Sequence, residues 1–252
     1  MIDTAGRVSI VIPCYNEARR LNVQAFRDFF KTASGIRLLF VDDGSTDGTF
    51  EVLQQLCNGL EGSVQTLKLE RNQGKAEAVR RGILWALDQF DPSIVGFWDA
   101  DLATPLETIP RFLQVLEERP EIEMIFGARV QLLGRHVQRS AVRHYLGRIF
   151  ATAVSAVLNL AIYDTQCGAK LFRVGPETRG IFAEPFLSKW VFDVEILARY
   201  ERLYRGKQQC LSKAVFEYPL ESWVDVAGSK VRPTDFFLAF WDIVRIRVKY
   251  LS

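Results

Sequence analysis

The sequence predicts an α/β protein with a mostly parallel central sheet and helices on both of its faces. In the first half of the chain, short β-branched or apolar runs alternate with segments of helical spacing. Clusters of polar side chains follow the ends of four of the predicted strands. Because ligands bind beyond the carboxyl ends of parallel strands, these two observations place a binding site at one edge of the sheet.

Each predicted strand is a short apolar run that ends near Pro, Asp or Gly. These runs lie at residues 8–12, 36–41, 64–69, 94–98 and 124–127. Between them, apolar residues recur every three or four positions, which predicts helices at residues 20–32, 49–57, 75–90 and 106–118. Asp47 is a candidate N-cap of the second helix, and Pro105 stands near the start of the fourth.

The second half of the chain predicts fewer elements. Residues 135–163 predict one helix with a very basic start, residues 215–219 a strand, and residues 233–251 a final helix. The apolar face of the final helix is predicted to consist of Phe237, Phe240, Trp241, Val244, Val248 and Leu251. No run reaches the ~18 apolar residues of a membrane span, so a buried or interfacial helix is expected at residues 149–163.

Composition narrows the class of protein. The 252 residues are 48% hydrophobic and 25% charged, which is typical of a globular protein, and we expect a single domain over residues 1–252. The net charge of +2 is too balanced to predict a nucleic-acid partner. The four cysteines form no CxxC pair and the N-terminus shows no signal-peptide pattern, so reduced thiols in the cytoplasm are expected.

Two aspartates follow the fourth predicted strand. Asp99 and Asp101 are alternate residues of an extended segment, so their carboxylates point the same way. A divalent cation held by one or two carboxylates and by substrate phosphates would relieve their repulsion. The pattern therefore predicts a metal site, and the alternative is a solvated turn that caps the next helix.

The turn after the second strand carries Asp42 and Asp43, which could accept hydrogen bonds from a base N–H or a ribose hydroxyl. The alternative is a strand–helix turn with Asp caps. An EF-hand is disfavoured because Gln54 stands where that loop has its bidentate Glu. Lys75 follows Gly74 at a predicted helix start, which suits contact with a phosphate, although a plain surface turn fits the segment as well.

The basic residues of the second half predict an anion site. Arg129 follows a strand, and Arg139 and Arg143 stand four residues apart, on one face of a helix. Forked guanidinium groups match phosphate oxygens, although a solvated basic face or attraction to anionic lipid explains them too. Cys167 invites a nucleophile interpretation, which the absence of an activating motif disfavours.

Taken together, these segments resemble family-2 glycosyltransferases with the GT-A fold. The matching segments, in order, are residues 11–17 (VIPCYNE), 41–47 (VDDGSTD), 72–75 (NQGK) and 99–101 (DAD). Within that family the chain is most similar to the polyprenyl-phosphate sugar synthases and, among them, to the dolichyl-phosphate β-glucosyltransferases. That closer match is carried by residues 99–104 (DADLAT), 127–129 (GAR), 138–140 (QRS), 164–172 (DTQCGAKLF), 190–195 (WVFDVE) and 228–230 (GSK). Ala103 stands where the mannose synthases usually carry a Gln, which favours the glucosyl subgroup.

The resemblance implies an inverting transferase that moves glucose from UDP-glucose onto a polyprenyl or dolichyl phosphate, with Mg²⁺ or Mn²⁺ as cofactor. Residues 8–127 would bind the nucleotide sugar, and residues 128–252 would bind the acceptor. The membrane surface is an implied partner, with the enzyme on its cytoplasmic face; in the alternative, the C-terminal helices pack on the domain or on a second subunit of a homo-oligomer.

The resemblance also assigns roles to individual residues. On the donor side, Pro13, Tyr15 and Glu17 would frame the uracil and ribose, Asp42 would accept from the base, Asp43 would hold the turn, and Lys75 would lie near the nucleotide. At the reacting centre, Asp99 would contact ribose or metal, Asp101 would be the main metal ligand, Arg129, Arg139 and Arg143 would receive the acceptor phosphate, and Lys230 would clamp the donor diphosphate.

Other functions remain open from the residues alone. Another family-2 donor, GDP-mannose or UDP-GlcNAc, or a soluble glycan acceptor would use the same acids. A nucleotide-sugar binding protein without turnover is the alternative from a different class.

Overall fold

The computed structural model describes residues 8–138, 141–207, 210–224 and 233–251. Its strands, in chain order, are β1 (Val8–Cys14), β2 (Ile36–Asp42), β3 (Val64–Lys68), β4 (Ile94–Trp98), β5 (Met124–Ala128), β6 (His136–Gln138), β7 (Ala169–Arg173), β8 (Val215–Pro219) and β9 (Ser222–Val224). Its helices are α1 (Val23–Thr32), α2 (Thr49–Cys57), α3 (Lys75–Phe90), α4 (Thr108–Glu118), α5 (Ala141–Leu158), α6 (Thr178–Ala183), α7 (Phe192–Tyr204), α8 (Leu211–Ala214) and α9 (Pro233–Tyr250).

Within the residues that the structure describes, seven strands form the central sheet, in the order β3-β2-β1-β4-β7-β5-β8. The neighbours β3-β2, β2-β1, β1-β4 and β5-β8 are parallel, whereas β7 runs antiparallel to both β4 and β5. The predicted mostly parallel sheet is therefore confirmed. The antiparallel strand was not predicted, and it brings the segment 164–173 of the second half between two strands of the first half.

The apolar core lies on both faces of this sheet. Successive residues of a strand point to opposite faces, so the long apolar runs of β1 and β2 supply both cores. One core contains Val11, Leu39, Val41, Val95 and Phe97, together with the inner faces of α3, α5, α7 and α9. The other contains Ile10, Ile12, Leu38, Phe40 and Trp98, together with α1, α2 and α4.

Helix α3 lies against β1 and β2 at a glycine. A Cβ atom added at Gly82 would lie 2.5 Å from Cγ1 of Val11 and 2.8 Å from Cγ2 of Val41. The lack of a side chain at this position lets the helix approach the sheet closely. This packing fixes the start of α3, and with it Lys75, at the carboxyl ends of the strands.

The predicted helix over residues 135–163 is wrong in its extent. Its first residues form β6, which pairs in parallel with β9 and buries Val137. The helix α5 begins only at Ala141, and it ends at Leu158 before Asn159, which has a positive φ of 52°. Pairing with a strand more than 80 residues away thus outweighs the local helical pattern.

The face of the final helix that packs on the core differs from the apolar face that the sequence predicts. Its inner face consists of Ala239, Ile243, Ile246 and Tyr250, all buried against the core. Four residues of the predicted apolar face are exposed instead, namely Phe240, Trp241, Val244 and Val248. Within the described residues, no helix combines the length and hydropathy that crossing a bilayer requires.

We expect Gly82→Ala to lower the free energy of unfolding by about 1–3 kcal/mol, because the new methyl group would overpack the contact between α3 and the sheet. Gly180→Ala is the matched control: a Cβ in the middle of α6 would meet nothing within 4 Å. There we expect stabilisation by about 0.5–1 kcal/mol from helix propensity alone. Urea denaturation measures both, and equal effects would contradict the close approach of α3 to the sheet.

Candidate active site

The loops that follow β1 and β2 are joined by hydrogen bonds beyond the carboxyl ends of the strands. Asn16 adopts a positive φ of 54°; its backbone N–H donates to Ser45 Oγ at 2.9 Å, and its Oδ1 accepts from the backbone N–H of Thr46 at 2.9 Å. The backbone N–H of Glu17 donates to Thr49 Oγ1 at 2.8 Å. The two loops therefore form one rim of a shared cleft.

Asp42 lies at the end of β2 and is fully buried. Its Oδ1 accepts from the backbone N–H of Ser45 at 3.1 Å, whereas its Oδ2 has no hydrogen-bond partner in the described part of the chain. A buried carboxylate oxygen without a partner is costly, and a donor from a ligand or from a water molecule would remove that cost. The role of Asp42 toward a base N–H stays a prediction.

Asp43 has a different use. Its two carboxylate oxygens accept from the backbone N–H groups of Gln73 at 2.9 Å and Gly74 at 2.8 Å. Burial raises the pKa of Asp43, and these two hydrogen bonds act in the opposite direction. Gly44 makes the approach of the two loops feasible, because a Cβ there would lie 2.5 Å from the backbone carbon of Arg71. Asp43 thus ties the turn before α3 to the end of β2.

Asp99 and Asp101 follow β4, the neighbour of β1 in the sheet. Asp99 forms an ion pair with the ammonium group of Lys75, the first residue of α3. Asp101 is exposed, and its Oδ1 accepts from the backbone N–H of Ala103 at 3.0 Å. Desolvation within the cleft and then the charge of Asp99 raise the pKa of Asp101, so the two carboxylates share one electrostatic environment.

Gly168, directly before the antiparallel strand β7, leaves room for the side chain of Asp99. The backbone N–H of Asp99 donates to the carbonyl oxygen of Gly168 at 2.9 Å. A Cβ on Gly168 would overlap the carboxylate of Asp99. The segment before β7 therefore forms one wall of the site, which the alternation of the first half alone does not predict.

The carboxylates that follow β4 fit a metal ion that is held partly by the protein and partly by a bound substrate. No group of three or more His, Cys, Asp or Glu side chains suited to a metal occurs in the part of the chain that the structure describes. Asp99 and Asp101 supply two carboxylates, and Mg²⁺ commonly takes one or two carboxylates together with substrate phosphates. The residues thus fit a diphosphate-assisted cation site rather than a site built from protein ligands alone.

A second ion pair lies behind the first. Lys170 of β7 is fully buried; its Nζ lies 2.6 Å from Oδ1 of Asp193 and donates to the carbonyl oxygen of Thr165 at 3.0 Å. Burial lowers the pKa of Lys75, but the charges of Asp99 and Asp193 outweigh this effect and raise it above its ordinary value. Positive and negative charges therefore alternate from the core to the cleft, in the order Lys170, Asp193, Lys75 and Asp99.

Arg129, predicted to receive the acceptor phosphate, is held by an acid. Its Nε and Nη2 donate to the two carboxylate oxygens of Asp164 at 2.6 and 2.8 Å. Burial lowers the pKa of Arg129, and the charge and hydrogen bond of Asp164 more than offset that effect. The guanidinium carbon also lies 5.3 Å from the ring centre of Trp223. The pair fixes the position of Arg129 beside β5.

The structure places the remaining predicted residues as follows. Pro13 lies in β1 opposite Val41, and Tyr15 is half-buried directly after the strand. Glu17 is paired with Arg20, whose Nη2 lies 2.7 Å from Oε1, and the charge of Glu17 also raises the pKa of Asp101.

Arg139 and Lys230 lie outside the described residues. Arg143 belongs to α5, but its side chain lies outside the described part.

Several residues of the site were not predicted. Cys167 is not counted among these missed residues. It is buried, and burial raises the pKa of its thiol, as expected for a cysteine of the core. The missed residues are Asp164, which is the partner of the predicted Arg129, and the pair of Lys170 with Asp193, whose charge acts on Lys75. Glu217 of β8 also belongs here, since it accepts from the backbone N–H groups of Tyr163 and Asp164. The acidic and basic residues of 164–170 and 193 were visible in the matched segments, but their pairing was not.

Comparison with known proteins agrees with this geometry. A sequence model of the family described as "Glycosyl transferase family 2" matches residues 9–177. A dolichyl-phosphate beta-glucosyltransferase of Dictyostelium discoideum is 30% identical over 261 residues, covering 97% of this chain and 75% of that protein. The enzyme of the same name from Homo sapiens is 30% identical over 265 residues, covering 98% of this chain and 76% of that protein.

Solved structures give the same fold. Glucosyl-3-phosphoglycerate synthase of Mycobacterium tuberculosis, in complex with Mn²⁺, UDP and glucosyl-3-phosphoglycerate, superposes with a TM-score of 0.64 at 18% identity. The match covers 96% of this chain and 79% of that one. With its paired carboxylates at the end of β4 and its family match over residues 9–177, the chain belongs to glycosyl transferase family 2 and has the GT-A fold.

Proposed function

We propose that this glycosyltransferase moves glucose from UDP-glucose onto a polyprenyl or dolichyl phosphate, with inversion at the sugar C1. The observation that carries the proposal is the grouping of Asp99, Asp101 and Lys75 at the edge of the sheet where β2 also ends with Asp42. The similarity to dolichyl-phosphate β-glucosyltransferases, which covers 97–98% of this chain and 75–76% of those proteins, supports the choice of donor and acceptor.

On the donor side, Asp42 accepts the N3–H of uracil through its unpartnered Oδ2. Asp43 keeps the turn before α3 in place, and Pro13, Tyr15 and Glu17 frame the base and ribose. Lys75 lies at the start of α3, where a positive helix end and an ammonium group both favour a diphosphate. Lys230 would close on the same diphosphate.

Asp101, assisted by Asp99, would hold Mg²⁺ or Mn²⁺ through its carboxylate oxygens. When bound, the ion neutralises the charge that develops on the departing diphosphate. The Mn²⁺ and UDP in the complex of the M. tuberculosis synthase support this choice of cofactor.

The acceptor requires no general base. A phosphate monoester carries roughly −1.5 to −2 charge at pH 7, so it is already nucleophilic. Arg129, Arg139 and Arg143 would hold it in line with C1, opposite the leaving group, and positioning of the two anions is the main task of the protein. Attack from that side converts an α-linked donor into a β-linked product.

The exposed apolar surface of α5 and α9 supports a peripheral position on the cytoplasmic face of a membrane. Its exposed members are Tyr145, Ile149, Leu238, Trp241, Val244 and Val248. Arg245, Arg247 and Lys249 lie in the second half of α9. Aromatic, aliphatic and basic side chains on one surface suit the boundary between headgroups and acyl chains.

A radiolabel screen tests the function. UDP-glucose, GDP-mannose and UDP-GlcNAc are each offered with short polyprenyl phosphates, with soluble sugars and with 3-phosphoglycerate, in Mg²⁺ or Mn²⁺. We expect label in the lipid fraction from UDP-glucose alone. Transfer from another donor or to a soluble acceptor would contradict the assigned substrates, and the absence of both transfer and donor hydrolysis would contradict the enzyme.

We expect Asp101→Asn to lower the transfer rate at least about 100-fold, because the carboxylate that holds the metal is lost. The fold should persist, since the exposed side chain can still accept from the N–H of Ala103 through its amide oxygen. Thermal unfolding of the variant is the control. Turnover by the wild-type protein after complete removal of divalent metal would refute the metal role.

We expect Asp42→Asn to weaken UDP binding by about tenfold or more, because an amide N–H₂ then faces the N3–H of uracil. Binding of CDP, whose N3 is an acceptor, should be weakened less or strengthened. Calorimetric titration with both nucleotides measures the difference in affinity between UDP and CDP. The control is Asp28→Asn, at an exposed position of α1. Equal losses for UDP and CDP would argue that Asp42 is purely structural.

A further inference from the structure

The two ion pairs of the site differ in their exposure to solvent. Lys170 and Asp193 keep 0% and 7% of their side-chain surface exposed, as a permanent structural pair does. Lys75 and Asp99 keep 38% and 34% exposed. An ion pair open to the cleft is weak and exchanges readily with other ions. The pair at the cleft is therefore the one that a solute can replace.

Lys75 stands where a positive charge needs compensation. It is the first residue of α3, and the N-terminal end of a helix disfavours a cation. Its ammonium group is paired with Asp99, and the negative charges of Asp193 and Asp101 act on it as well. Lys75 consequently has acidic neighbours on more than one side, and it does not depend on Asp99 alone.

A divalent cation at Asp101 and Asp99 needs the carboxylate that Lys75 occupies. We propose that Lys75 and the metal exchange at Asp99: the ammonium group neutralises Asp99 until metal arrives, and it then turns to the donor diphosphate. This inference rests on the proposed function, because it requires a metal and a diphosphate at the same cleft. It assigns to Lys75 a positioning role before donor binding and a binding role afterwards.

The exchange has a thermodynamic consequence. Metal alone must displace Lys75 from Asp99, which lowers its affinity. A diphosphate supplies oxygen ligands to the metal and a new partner to Lys75, so it removes that cost. By linkage, the diphosphate and the metal then raise each other's affinity by the same factor.

Four proteins test the exchange: the wild type, Lys75→Gln, Lys75→Arg and Lys189→Gln. Lys189 is an exposed lysine of the same rim, because a Cβ on Gly74 would lie 3.3 Å from its Cδ, and its charge acts on Asp43. Calorimetry measures the Mn²⁺ affinity of each protein, over residues 1–252, without nucleotide. It then measures the UDP affinity in saturating Mn²⁺.

We expect Lys75→Gln to bind Mn²⁺ alone roughly fivefold more tightly, because the metal no longer has to break a partly exposed ion pair. We expect the same variant to bind UDP roughly tenfold more weakly. Structural damage would weaken both, so the opposite directions are diagnostic. Lys75→Arg should stay within about threefold of the wild type in both measurements, because the charge is kept. Lys189→Gln should leave the Mn²⁺ affinity nearly unchanged.

Two results would overturn the exchange alone. The first is an unchanged or weakened Mn²⁺ affinity in Lys75→Gln. The second is an equal gain of Mn²⁺ affinity in Lys189→Gln, which would indicate that removal of any positive charge near the site strengthens metal binding. A wild-type protein that binds Mn²⁺ and UDP but fails to transfer sugar would count against the proposed function, and the exchange would stand. A wild-type protein that binds neither ligand would overturn both.

Discussion

Repulsion between carboxylates at one edge of the sheet is the constraint around which the site is organised, because Asp99 acts on Asp101 and Asp42 acts on Asp43. Two unit charges 4 Å apart interact by about 4 kcal/mol at the effective dielectric of a protein surface, which is comparable with the stability of a domain. Lys75 offsets this repulsion at Asp99, and the pair of Lys170 with Asp193 extends the alternation of charge into the core. Asp43 relieves its own charge through two backbone N–H groups. The acids are thus held near one another by partners that offset part of their charge.

The strand that the second half of the chain inserts between two strands of the first supplies groups that support these acids. Strand β7 runs antiparallel between β4 and β5, so its beginning lies beside the end of β4. This direction places Gly168 against Asp99 and brings Lys170 to Asp193. A parallel strand at this position would present its other end to the cleft. The residues that support the acids therefore come from a segment far from them in sequence.

The sequence predicts the donor half well because that half depends on local signals. The helices at Thr49–Cys57 and Lys75–Phe90 and the strand at Ile94–Trp98 were predicted with their observed bounds, since periodicity and turn residues define them. The sequence predicts roles for Asp42, Asp43, Asp99, Asp101 and Lys75 because they stand at or after strand ends, and these roles stay predictions. The short β6 and the strand β7 escaped prediction because their stability comes from partners distant in the chain. A fully buried lysine in β7 also contradicts the usual interpretation of lysine as a surface residue.

The final helix shows why an apolar pattern alone does not identify the buried face. Helix α9 is apolar on two sides, and the less conspicuous side, Ala239, Ile243, Ile246 and Tyr250, packs on the core. Tyr250 donates to Glu195 at 2.7 Å, and Glu195 also accepts from Arg199 at 2.7 Å and from the backbone N–H of Leu187 at 2.7 Å. Glu195 lies one turn from the start of α7, beside Asp193. The helix with the exposed apolar surface is therefore anchored, through a buried network, to the helix whose first turn supports the charges of the site.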